Sequence, residues 1–153
     1  MDFRKLWSLF LLSLRHPLFV IPTLRATRKC VAICDAYFGK AHHRNGPENA
    51  FRHALWNIMI VQKSVFSGRD FKEAVVWAKT ITNWHEDFSP NRPLARAMDI
   101  HNNKLGRELI TLHQDKTADE MTLLLLEMLP LSRKHTDLQE LINDRGFLVH
   151  IED

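Results

Sequence analysis

Apolar residues recur along this chain at helical spacing, and short polar or Gly/Pro stretches cut the pattern into segments. Leu, Phe and Trp dominate from Phe3 to Leu14, which predicts a short first helix. Pro22 suits a first helical position and Gly39 a stop. Val31, Ala32, Ala36 and Phe38 recur between them, so a second helix is expected from about Pro22. After the loop "KAHHRNG", Pro47 opens a third helix that runs to about Phe66, ahead of Gly68. Asp70 can cap a fourth through "FKEAVVWAKTITNWHEDF", closed by Pro90, and Pro93 opens a fifth that reaches about His113. Thr117 and Glu120 have capping-box spacing before "MTLLLLEML", as do Thr136 and Gln139 before a short last helix. Only "GFLVHI", Gly146 to Ile151, reads as strand. The expected fold is all-α, a compact bundle of about six to seven helices with short loops.

Three of these helices carry polar groups in lines. Asn49, Arg52, His53 and Trp56 are spaced to share one face of the third helix, and Asp99, Asn102, Asn103 and Gly106 repeat that spacing on the fifth. On the fourth, His85 continues the apolar stripe of Ala74, Ala78 and Ile81. Burying such groups unpaired costs about 1–3 kcal/mol each, so inward-facing lines must meet one another, a metal or a ligand. Gly106 inside a helix costs about 1 kcal/mol relative to Ala, which points to close approach of another backbone or a ligand.

The chemistry admits more than one reading. His53, His85, Asp99 and His101 can ligate a divalent ion such as zinc or manganese, although no H-E-x-x-H or CxxC spacing is present. Without a metal, His53 or His85 would be a general base oriented by Glu86 or Asp99. Arg52 would then bind an anionic group. A satisfied polar network that fixes helix register is the structural alternative. The adjacent His42 and His43 read as an exposed loop pair, and "LLLLEML" as a core helix. Cys30 and Cys34, one helical turn apart, read as small buried residues in a reducing compartment.

With 153 residues, one domain with a core of its own is expected, divided into an amphipathic N-terminal segment, 1–20, and a helical domain with a polar pocket, 21–153. The net charge is only +3, but residues 1–44 hold eight Lys or Arg against Asp2 and Asp35, a local +6. The apolar run Leu6–Leu14 lacks a signal-peptide cleavage site and is too short to span a bilayer. Residues 3–21 therefore suit either an anionic membrane surface or a protein partner, unless Trp7, Phe10 and Leu14 pack on the protein's own core. Nucleic acid is disfavoured by the small net charge and the lack of a recognised module. A cytoplasmic location is expected, with peripheral membrane attachment under the first of those readings.

Taken together, "NAFRHALW", "HE" and "MDIHNNKLGR" resemble the signature of a poorly characterised helical domain family of bacteria. That family occurs as small stand-alone proteins, notably among Bacteroidetes, and at the C-terminal ends of secreted toxin-like chains. The likeness spans about Pro47 to Arg107. It implies Asn49, Arg52, His53, Trp56, His85, Glu86, Asp99, Asn102, Asn103 and Gly106 as the family's marked positions, without assigning a reaction. The functional expectation is a hydrolase with His53, His85, Glu86 and Asp99 as catalytic groups, acting on a phosphate-containing or other anionic substrate. Asn49, Arg52, Trp56, Asn102, Asn103 and Arg107 are its expected substrate contacts. The alternative is a non-catalytic binding or scaffold protein anchored through its N-terminal helix.

Overall fold

The computed structural model describes residues 3–89 and 92–152. Among the described residues seven α-helices follow in order: α1 Phe3–Arg15, α2 Pro17–Phe38, α3 Pro47–Phe66, α4 Phe71–Asp87, α5 Pro93–Leu112, α6 Ala118–Met128 and α7 Leu138–Asn143. The fold is the expected all-α bundle. Helix α3 is its axis, packed against α2, α4, α5 and α6, and Phe51, Leu55, Ile58 and Ile60 are buried completely.

Local chemistry sets most helix ends. Asp70 accepts a hydrogen bond from the Glu73 amide, and Thr117 and Glu120 close a reciprocal capping box at α6. The cap of α7 is Asp137 rather than Thr136, because the Asp137 carboxylate accepts from the amides of both Gln139 and Glu140. Helix α2 starts at Pro17, so Pro22 lies inside it and the 20/21 division of the sequence falls within a continuous helix. A proline there forfeits one bond, to the Leu18 carbonyl of a helix turn that is open to solvent. Pro90, the expected stop of the fourth helix, lies outside the described residues.

The strand signal is reduced to two residues. β1, Arg133–Lys134, pairs in parallel with β2, Val149–His150, and ties the C-terminal segment to the bundle. The adjacent histidines are not an exposed pair. They sit in a short 3-10 turn, where His42 is fully buried and meets Asp35 Oδ1 at 3.2 Å through Nε2. Cys30 and Cys34 are buried free thiols, as expected.

Helix α1 buries no residue, and Trp7, Phe10 and Leu14 face outward rather than into the core. Its packed side is the opposite one, through Leu9 and Leu12. A bend of 119° separates α1 from α2. Among the described residues no single helix is long and apolar enough to cross a membrane.

Candidate functional site

Helices α3, α4 and α5 each direct one ligand-competent side chain to a common point. His53, Glu86 and Asp99 offer a ring nitrogen and two carboxylate oxygens, all within 4.8 Å of one another. None of the three residues is more than 3% exposed. The close approach of α3 and α5 is made by Gly106, whose Cα faces the Ala54 backbone with no room for a side chain. The expected close approach is thus to backbone.

A web of amides holds this triad. Asn103 donates through Nδ2 to Glu86 Oε1 at 3.1 Å, which turns its Oδ1 toward His53 Nδ1 at 3.3 Å. The same Oδ1 accepts from Asn57 Nδ2 at 2.7 Å. Asn57 Oδ1 in turn accepts from Arg107 Nη1 at 2.7 Å. This order assigns the His53 proton to Nδ1 and leaves the lone pair on Nε2. Nε2 faces Asp99 Oδ1 at 3.3 Å and receives an N–H of Arg52 at 3.0 Å.

Electrostatics keep the ring neutral. Burial lowers the His53 pKa to about 3, aided by the Arg52 charge and opposed by the bond to Asn103. The imidazole is therefore neutral at pH 7, a poor general base but a ligand with no proton to displace. Burial also raises the Glu86 carboxyl, while bonds to Asn103 and Asp99 pull it back. Glu86 Oε2 is buried and accepts no hydrogen bond from a fixed donor. Two carboxylates in contact need a shared proton or cation between them.

A cavity of about 190 Å³ opens onto the His53 edge of the triad, lined by Thr27, Cys30, Val31, Arg52, His53, Trp56 and His85. His85 points here and not into the triad, because neighbours on a helix project about 100° apart and Glu86 takes the inward direction. Its ring stands edge-on to Trp56 with centroids 5.3 Å apart, and the Trp56 indole N–H donates to Thr27 Oγ1 at 2.9 Å. The His85 pKa is lowered by burial first, then by the charges of Lys5 and Arg52.

Four expected site residues are placed elsewhere. His101 meets the Phe147 carbonyl at 2.9 Å and lines a larger cavity of about 620 Å³ on another face of α5, so it is no partner of the triad. Asn102 exchanges two bonds with the Val149 backbone, as a strand neighbour would, and fixes β2 to α5. Arg107 is buried behind Asn57 rather than turned to the cavity, and burial lowers its pKa to about 10 against the pull of Glu108. Asn49 donates to the Arg44 carbonyl and holds the loop before α3.

Asn57 and Thr82 were not singled out by the sequence pattern. Yet Asn57 follows His53 by one turn and Thr82 precedes Glu86 by one turn, and Thr82 Oγ1 lies 3.4 Å from Asn57 Oδ1.

The triad, the amide web and Gly106 all lie within residues 10–133, which match the profile of a family described as "Domain of unknown function (DUF6973)". The chain belongs to this family. No curated protein and no solved structure matches it. The DUF6973 match takes in the cavity walls as well, and leaves outside it the first turns of α1, α7 and β2.

Proposed function

We propose that this protein is a metal-dependent hydrolase in which His53, Glu86 and Asp99 hold a divalent ion, zinc or manganese, and the adjoining cavity takes a phosphate-containing substrate. The observation that carries this reading is the contact of His53 Nε2 with Asp99 Oδ1 at 3.3 Å between two buried side chains. A neutral imidazole lone pair and a carboxylate oxygen face each other there with an Arg52 N–H on Nε2, and a divalent ion would take the place of that N–H and free the guanidinium for the substrate. Two donor atoms held by one zinc with bonds of about 2.0–2.1 Å would lie roughly 3.3 Å apart, so this one edge is compatible with such an ion, and the three donor atoms as a set lie within 4.8 Å.

When bound, such an ion would supply a water of lowered pKa and Lewis acidity toward the phosphoryl oxygen. Arg52, at the cavity wall beside His53, offers its guanidinium to the substrate's anionic oxygens. Asn103 keeps the Nε2 of His53 free of a proton by taking the Nδ1–H. Hydrolysis joins the water oxygen to phosphorus and breaks the ester P–O bond. One proton would pass to Glu86 Oε2, which has no hydrogen-bond partner among the described residues, and from there to solvent, while the leaving alkoxide takes one from solvent.

Elemental analysis of the purified protein tests the site. One zinc or manganese per chain is expected, lost in His53→Ala and Asp99→Asn, with hydrolysis of bis(p-nitrophenyl) phosphate lost alongside. A protein that retains no ion and whose melting temperature ignores chelator and added zinc alike would leave a metal-free polar network in its place.

A further inference from the structure

Helix α1 presents Phe3, Trp7, Phe10 and Leu14 in one outward line, Trp7 and Phe10 being 53% and 51% exposed. Beyond the bend, Leu18 and Ile21 of α2 continue the apolar surface at 61% and 54%. Between residues 3 and 34 the chain has six Lys or Arg and no Asp or Glu. An exposed apolar face rimmed by one sign of charge needs a partner of opposite sign. A second copy of the chain would set this basic surface against itself.

The same surface borders the cavity. Leu24, Thr27 and Val31 of α2 follow one another at i, i+3 and i+7, and the last two line the cavity wall. On the opposite side α1 is fastened to α4 next to His85, since the Trp84 indole N–H donates to Ser8 Oγ at 2.5 Å and Lys5 lies over the Trp84 ring at 5.6 Å. The cavity thus has α2 as one wall, and α1 is fastened to α4 one residue from its His85 wall.

We propose that the α1–α2 elbow docks on an anionic phospholipid bilayer and that the adjoining site hydrolyses the phosphodiester headgroup of a lipid in that bilayer. The lipid substrate rests on the hydrolase reading above, whereas the docking does not. Helix α1, about 20 Å long, is too short to cross the hydrocarbon, and α2 keeps Ala26, Cys30 and Cys34 in the core, so the elbow lies along the interface. Arg52 at the cavity wall meets the phosphate, and the acyl chains remain in the membrane beside Leu24 and Val31. One water cleaves one P–O ester bond. The products are diacylglycerol plus a phosphorylated headgroup alcohol, or phosphatidate plus the free alcohol.

The test uses the full chain with vesicles of phosphatidylcholine alone or mixed with phosphatidylglycerol, and bis(p-nitrophenyl) phosphate as soluble ester. Co-sedimentation with the anionic vesicles only, weakened by salt, is expected. The double variant Trp7→Glu/Phe10→Glu, checked for an unchanged melting temperature, should bind them about tenfold less or worse. It should also lose release of glycerol phosphate or phosphatidate while hydrolysing the soluble ester at the parent rate. Absence of vesicle binding at low salt overturns the docking, as does concentration-dependent dimerisation abolished by the same variant. Binding with turnover of the soluble ester but not of the lipid overturns the lipid as substrate and spares the hydrolase reading. Binding with no turnover of either ester overturns the hydrolase reading and the lipid substrate with it.

Discussion

Gly106 has no space for a methyl group: a Cβ built on it would lie 2.2 Å from the carbonyl oxygen of Ala54. Ala54 follows His53 in sequence, and Gly106 lies one turn beyond Asn102 and Asn103. The helix contact that excludes a side chain therefore also sets the distance from His53 to Asn103 and Asp99. Backbone is what stands in the way, so Gly106→Ala must push α3 and α5 apart. A loss of about 3 kcal/mol, the upper end for overpacking, is expected in urea denaturation, with weaker zinc binding in whatever folds. A variant of unchanged stability and affinity would contradict the close approach.

Arg107 supports the site from behind. Arg107→Met removes the strongest donor to Asn57 Oδ1, at 2.7 Å, and leaves only the 3.4 Å approach of Thr82. The cost of an under-satisfied buried acceptor is about 1–3 kcal/mol. The expected result is a lower melting temperature with KM for the soluble ester little changed. A large rise in KM at unchanged stability would instead return Arg107 to the substrate.

Acid stability can be traced to Asp144. Burial opposes its charge, but His135 Nε2 at 2.7 Å, the Arg145 amide and Arg133 outweigh it and hold the carboxyl below its ordinary value. A carboxylate with a depressed folded-state pKa stabilises the protein above its unfolded pKa, near 3.8, and that contribution is lost as pH falls through the folded value. Asp144→Asn should lower stability at pH 7 and flatten its decline below about pH 4. Equal slopes for variant and parent in acid denaturation would rule this out.

Metal loading should appear in stability as well as in activity. An ion that binds only the folded state at a thousandfold above its Kd adds about 4 kcal/mol. Chelator should accordingly lower the melting temperature of the parent protein and leave His53→Ala unmoved. A parent curve identical with and without chelator is the adverse result.

Helical periodicity and capping chemistry are properties of neighbours in sequence, so they were legible there: Asp70, Thr117 with Glu120, and the polar lines on α3 and α5. Membership of the polar face was legible too, because spacing of three and four residues fixes direction around a helix axis. What lies opposite that face is a property of packing. Asp99, Asn102, Asn103 and Arg107 share one stretch of α5, yet Asp99 and Asn103 meet His53, Asn102 meets the Val149 backbone, and Arg107 meets Asn57. A 100° step per residue sends near neighbours to different helices, and only the assembled bundle decides which. The same holds for α1, whose Leu-, Phe- and Trp-rich sequence suited core and surface equally. Its docking through Leu9, Leu12 and Ser8 used the narrow side and left the broad apolar face outside.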